Sequence, residues 1–91
     1  MLLKDRVAIV TGSGNGIGRA IAERFGREGA AITVAELEDE SGGETTAAIE
    51  AAGGRALFHA TDTSDDDSVK AMVAATVERF GRVNVLVNNA A

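Results

Sequence analysis

The chain has 91 residues, 45% hydrophobic and 25% charged, with nine basic residues against fourteen acidic ones for a formal net charge of −5. One small domain fits that length, which excludes a two-domain enzyme or a repeat array, and the acidic balance argues against a nucleic-acid groove or an anionic membrane surface. With no cysteine and a single histidine, disulfides, thiolate metal sites and a zinc centre are excluded, and a reducing compartment is the default.

The N-terminal Met1-Leu2-Leu3-Lys4-Asp5-Arg6 is charged, and the apolar run Val7 to Val10 is too short for a signal segment or a membrane span. A cytoplasmic protein is expected. Val7 to Val10 instead reads as the first of four short strands rich in branched apolar residues, the others being Ile32 to Ala35, Ala56 to Phe58 and Val83 to Val87. Such runs suit strands buried on both faces, as in a parallel sheet.

Three helices separate them. Gly16 to Glu28 carries Ile17, Ala20, Ile21, Arg24 and Phe25 at helical spacing and stops at Gly29. Ser41 to Ala52 is rich in alanine, with Ile49 as its one large anchor and Gly53-Gly54 as its end. Ser64 to Phe80 places Val69, Met72, Val73, Thr76, Val77 and Phe80 on the i, i+3, i+4 pattern. Ser64 with Asp67 three residues later forms an N-cap signature, and Gly81 a C-terminal stop. The β-α-β-α-β-α-β order with short links, and no proline anywhere, dictates one α/β unit with parallel pairing.

Between the first strand and the first helix lies Thr11-Gly12-Ser13-Gly14-Asn15-Gly16-Ile17-Gly18. Glycines there permit a tight turn and let backbone N–H groups approach a pyrophosphate at the positive end of the helix. The strand–loop–helix setting separates this from a merely flexible loop. A P-loop is excluded, since no Lys-Ser or Lys-Thr follows, and neither Lys4 nor Lys70 is placed to reach the phosphates. Glu36 ends the second strand roughly twenty residues beyond the glycines, where a carboxylate accepts both hydroxyls of an adenosine ribose and repels a 2′-phosphate. Asn15 in the loop is not basic either, so NAD(H) is favoured over NADP(H). Glu38, Asp39 and Glu40 read as a solvated run.

The spacing Thr11-Gly12-x-x-x-Gly16-x-Gly18 resembles the glycine motif of the short-chain dehydrogenase/reductase family. Leu86-Val87-Asn88-Asn89-Ala90 looks like that family's Asn-Asn-Ala-Gly motif, and Asp62 is similar to its adenine-binding aspartate. The resemblance covers the whole chain and points to the N-terminal half of the classical type. It implies a partial Rossmann fold, three layers α/β/α with four parallel strands in the order 3-2-1-4, and residues 1–91 as an NAD(P)-binding fragment. It further implies that the backbone of Gly12 to Gly18, with Ile17 at the helix start and Ser13 and Asn15 at the edge, holds the pyrophosphate. Glu36 would take the adenosine ribose, Asp62 and the backbone of Thr63 the adenine, and Asn88 the adenosine-side ribose. Asn88 to Ala90 would help fix the sheet. Asp65, Asp66 and Asp67 read as acids favoured by the helix dipole, and His59 as structural.

Two positions depart from the family pattern. Asn84 stands where an aspartate is usual, and Ala91 replaces the closing glycine as the last residue. A methyl group crowding the cofactor or the next turn, and a terminus left by a frameshift or early stop, are both open for Ala91. In the family a tyrosine, lysine, serine and asparagine act beyond the fourth strand, supporting hydride transfer between the nicotinamide and a carbonyl or alcohol carbon. This chain has no tyrosine, so it is expected to bind cofactor without catalysis and without metal. Its fourth strand would be an edge with an apolar patch beside the third helix, inviting self-association or a complementing chain. A stand-alone NAD-binding regulatory module and a Rossmann-like methyltransferase fragment are the alternatives. The wide glycine spacing and the Asn88-Asn89 pair speak against the latter.

Overall fold

Four parallel strands, joined through helices, form the centre of the computed structural model, which describes residues 2–89. The elements are β1 (Val7–Thr11), α1 (Gly16–Arg27), β2 (Ala31–Glu36), α2 (Asp39–Ala51), β3 (Arg55–Ala60), α3 (Asp66–Phe80) and β4 (Val85–Val87). The sheet order is β3-β2-β1-β4, as expected from the sequence. Val7 lies opposite Ala31 and Thr11 opposite Ala35, while Ala8 to Val10 of β1 face Val85 to Val87 of β4. The chain therefore leaves β1 toward β2 on one side and comes back to its other side with β4.

The alternation of side chains along the strands builds three layers. Ala8, Val10, Ile32, Val34 and Ala56 join Ala22 of α1 and Ile49 of α2 in one buried cluster. On the opposite face Ile9 and Ala35 meet Met72 of α3, with Val69 packed against them. Small residues set the layer spacing on the α2 side. A side chain at Gly42 would run into the ring of Phe58, so the helix approaches β3 closely only because that position is bare.

All three helices stop at glycines with positive φ, at Gly29, Gly53 and Gly81. The N–H of Ala30 reaches back to Phe25 O and that of Gly54 to Ile49 O, satisfying carbonyls at the ends of α1 and α2. The start of α3 differs from expectation. Ser64 is not the cap: its hydroxyl donates to Asp62 Oδ1 at 2.6 Å, and Asp65 caps the helix by accepting the Asp67 N–H at 2.9 Å. Asp62 competes for Ser64, so the cap moves to Asp65 and the helix begins at Asp66.

The fourth strand is also shorter than its apolar run. Asn84 precedes it and binds Val7 twice, donating its N–H to Val7 O at 2.9 Å and accepting the Val7 N–H on Oδ1 at 2.8 Å. The oxygen that an aspartate would offer is kept by the asparagine, so the departure at this position costs no hydrogen bond. The apolar stripe of α3 splits: Met72 is 2% exposed, but Val73 and Val77 are 40% and 44% exposed, and Leu86 of β4 is 59% exposed. Among the described residues β4 is the last strand on its side of the sheet, and two of the six stripe residues, Val73 and Val77, are exposed.

Candidate functional site

The C-terminal ends of β1, β2 and β3 open into a cleft of about 310 Å³ lined by Gly12, Glu36, Leu37, Asp62, Thr63 and Ser64, together with Ala35 and Thr61. It lies beside β1, where successive strands are laid down on opposite sides, and open α/β sheets bind ligands at such a switch point. Gly12, Glu36, Asp62 and Thr63, singled out in the sequence, are thus brought to one place. Two carboxylates and no cation line it.

The glycine loop turns sharply because Gly12 and Gly16 take φ of 63° and 57°, values that a side chain makes costly. Gly18 answers a different need. A Cβ there would land on the Gly12 carbonyl oxygen and 2.6 Å from Asn89 Nδ2, so helix α1 can start tight under the loop only with glycine at this position. Asn15 occupies the N-cap position of α1 in an extended conformation, with no side-chain hydrogen bond to the helix. The first-turn N–H groups have no intrahelical acceptors. No acid stands in the first turn of α1, whereas α2 has Asp39 and Glu40 there and α3 has Asp66 and Asp67. No acid of its own first turn compensates the positive end of α1, which suits an anion site. Ile17 is 72% exposed beside it. Ser13 behaves differently from expectation: its hydroxyl is buried and donates to Val10 O at 2.7 Å, which leaves only its backbone to offer a ligand.

Glu36 closes the loop from the β2 side. Its Oε1 accepts the Gly14 N–H at 3.0 Å and its Oε2 the Glu38 N–H at 3.2 Å. Across the cleft, Asp62 Oδ1 accepts from both the hydroxyl and the backbone N–H of Ser64, at 2.6 and 2.9 Å. The Ser64 hydroxyl first, and its N–H second, hold the Asp62 carboxyl below the usual aspartate value against a small opposing effect of burial. The Asp62 N–H is itself taken by Ser68 Oγ at 2.9 Å. One carboxylate oxygen, Oδ2, and the exposed backbone of Thr63 are what this turn presents outward.

Asn88 falls in a neighbouring cleft of about 290 Å³ shared with Thr11, Thr63, Asp66, Val69, Met72 and Leu86. Thr63 lines both spaces. The Thr11 hydroxyl is within 3.2 Å of Val87 O and 3.3 Å of Asn88 Oδ1, and it accepts the Asn89 N–H at 3.0 Å. Asn89 Nδ2 in turn donates to Gly12 O at 3.3 Å. The asparagine pair thereby ties the end of β4 to the glycine loop. Ala90, and Ala91 after it, lie outside the described residues. His59 pairs with Thr61 Oγ1 at 2.8 Å, and among the described residues no group of three acidic, histidine or cysteine side chains is arranged to hold a metal. No helix among them is long and apolar enough to cross a membrane.

Leu37 and Thr61 also line the cleft, and Leu37 is the large apolar residue among the lining. It is 68% exposed beside Glu36, and its signal was a large apolar side chain directly after a strand-ending acid.

The family model described as short chain dehydrogenase matches residues 6–91. A short chain dehydrogenase/reductase, astE, of Aspergillus oryzae is 51% identical over 98% of the chain, and glucose 1-dehydrogenase 2 of Bacillus subtilis is 43% identical over 96%. Among solved structures, hydroxysteroid dehydrogenase from Escherichia coli superposes with a TM-score of 0.96 at 31% identity over 98% of the chain. Glucose dehydrogenase of Caenorhabditis elegans in its apo form gives 0.95 at 38% identity over 100%. The chain spans 34% of the length of each of the two curated relatives, and 38% and 40% of the two solved chains.

Proposed function

The chain belongs to the short-chain dehydrogenase family, a family that binds NAD(P), and we propose that its 91 residues are the N-terminal, NAD(H)-binding portion of a Rossmann domain. The observation that carries this reading is the pairing of an α1 N-terminus without an acid in its first turn with a cleft whose walls include Glu36 and Asp62. Backbone N–H groups of the Gly12 to Gly18 loop, apart from that of Gly14, which Glu36 holds, would take the pyrophosphate with Ile17 at the helix start, and Ser13 and Asn15 would contribute their backbone and edge. The cradle suits such an anion, because Gly18 leaves room where any Cβ would strike the loop.

Glu36 would accept the hydroxyls of the adenosine ribose. Asp62, charged and acceptor-only, would accept from the adenine amino group while the Thr63 N–H donates to the ring. Leu37 offers an apolar face for the base, Asn88 would meet the adenosine-side ribose, and Ala90 is assigned to the site on the family motif alone. Two carboxylates and no lysine or arginine around the cleft favour NAD over NADP, since a 2′-phosphate would face like charge.

When bound, the dinucleotide supplies hydride-transfer chemistry, in the longer family members between nicotinamide and a carbonyl or alcohol carbon. The absence of tyrosine from the sequence favours a further reading of this chain by itself, cofactor binding without turnover. The open edge of β4 and the exposed Val73, Val77 and Leu86 suit pairing with another copy or a complementing chain.

Calorimetric titration with NAD, NADP and S-adenosylmethionine tests the assignment. NAD should bind at least about tenfold tighter than NADP, the size of effect one repelled charge gives. A folded sample that ignores NAD overturns the reading, and one that prefers S-adenosylmethionine replaces it with a methyltransferase-like site. Glu36→Ala should narrow the gap between the two dinucleotides; an unchanged gap would undo the specificity argument.

A further inference from the structure

Gly14 sits at the outer bend of the glycine loop, and both polar atoms of that residue are held by side chains from elsewhere in the fold. Its N–H donates to Glu36 Oε1 at 3.0 Å, and its carbonyl oxygen accepts the Thr45 hydroxyl at 3.3 Å. Thr45 lies in the second turn of α2, 31 residues away in the chain, and is fully buried. A threonine inside a helix ordinarily turns its hydroxyl back on the carbonyl four residues earlier. Thr46 does so, donating to Gly42 O at 2.9 Å. Thr45 instead spends its hydroxyl on the loop.

The fit around Gly14 is close. A Cβ on it would come within 2.5 Å of Ser41 Oγ and 2.8 Å of Glu36 Cγ, so α2 and the loop can touch only at glycine. Glu36 is itself steadied, its second oxygen accepting the Glu38 N–H while Ser41 Oγ donates to Glu38 O at 3.4 Å. A residue whose N–H and C=O are both engaged cannot rotate freely about its flanking dihedrals. The N–H groups that follow, those of Asn15, Gly16 and Ile17, inherit their direction from it.

We propose that Thr45 and Glu36 clamp the Gly14 backbone from opposite sides, making Thr45 a positioning residue that aims the loop's following N–H groups at a pyrophosphate. This rests on the dinucleotide reading above. Thr45 lines neither cleft, so it acts only through Gly14. Glu36 has two tasks, ribose acceptor and loop anchor, and the Gly14 N–H is committed to the protein and is not a phosphate donor.

The test compares adenosine, which lacks phosphate, with ADP, which carries the pyrophosphate, on the full chain by calorimetry. Thr45→Val should weaken ADP about fivefold to tenfold, the loss expected of one hydrogen bond, and change adenosine less than about twofold. Thr45→Ser, which keeps the hydroxyl, should restore ADP binding to within about twofold of the unaltered chain. An equal loss for both ligands, an unchanged ADP affinity, or no rescue by serine overturns the clamp. Should Thr45→Val not fold, amide exchange in the unaltered chain decides. Gly14 should exchange at least about tenfold more slowly than Asn15, and equal rates overturn the proposal. An unaltered, folded chain that binds neither ligand overturns the dinucleotide reading itself, a result separate from ADP binding that Thr45→Val leaves alone.

Discussion

The hydroxyls of Thr33 on β2 and Thr76 on α3 lie 2.8 Å apart, both fully buried, and their proton order is determined by a third group. Thr76 donates to Met72 O within its own helix at 2.8 Å, so Thr33 is the donor between the two. The pair fastens α3 to the underside of the sheet at a point where the helix has few other buried contacts, since Met72 and Thr76 are its buried residues.

This ordering predicts unequal costs for two similar substitutions. Thr76→Val removes the acceptor and leaves the Thr33 proton unpaired in a buried site, whereas Thr33→Val leaves Thr76 still bonded to Met72. Thr76→Val should therefore destabilise the chain by about 1 kcal/mol more than Thr33→Val. Urea unfolding of the two variants measures the difference; equal costs would show that the proton order is reversed or mobile.

The glycines of the loop separate in the same way. Gly18→Ala places a methyl group against the Gly12 backbone and Asn89, which cannot yield cheaply. Gly16→Ala meets open space and bears only the strain of its φ of 57°. The first should cost about 1–3 kcal/mol and abolish most ADP binding, the second about 1–2 kcal/mol. ADP titration of both variants should show loss at Gly18 well beyond that at Gly16.

Asp62 provides a pH test. Its folded-state carboxyl is held below the ordinary aspartate value, chiefly by the Ser64 hydroxyl. The stability it contributes is therefore complete above the ordinary value and is lost as pH falls through the depressed one. The Asp62 carboxyl should thus stay charged through mildly acidic pH. In Ser64→Ala the titration midpoint of the Asp62 carboxyl, followed by carbon chemical shift, should rise toward the ordinary value. An unmoved midpoint would assign the effect to something other than Ser64.

The open edge beside α3 bears on assembly. Val73 and Val77 of α3 and Leu86 of β4 are exposed apolar residues, and a strand edge with exposed apolar residues pairs readily. Leu86→Lys places a charge there without touching the buried faces of β4. Sedimentation at micromolar concentration should show the parent chain self-associating and Leu86→Lys shifted toward monomer. A parent chain that is a stable monomer would remove this partner proposal.

Local patterns carry much of this protein. Four branched apolar runs, three helices ending on glycine, and a glycine loop between the first strand and helix were readable because backbone preference and side-chain period act over a few residues. Glu36 and Asp62 could be placed at strand ends for the same reason, and the strand order followed from the family resemblance. What the local pattern did not contain was the outcome of competition between alternative partners. Ser64 reads as a helix cap, yet Asp62 captures its hydroxyl and Asp65 takes the cap. The apolar stripe of α3 reads as buried throughout, yet Val73 and Val77 are exposed. Ser13 reads as a rim residue, yet its hydroxyl turns inward to Val10. Thr45 reads as an ordinary helical threonine, yet its proton crosses to Gly14. For Ser64 and Ser13 the competing groups lie two or three residues apart, and the turn conformation chooses between them. Thr45 compares a neighbouring partner with one 31 residues away, which only the packed sheet and helices bring within hydrogen-bond reach.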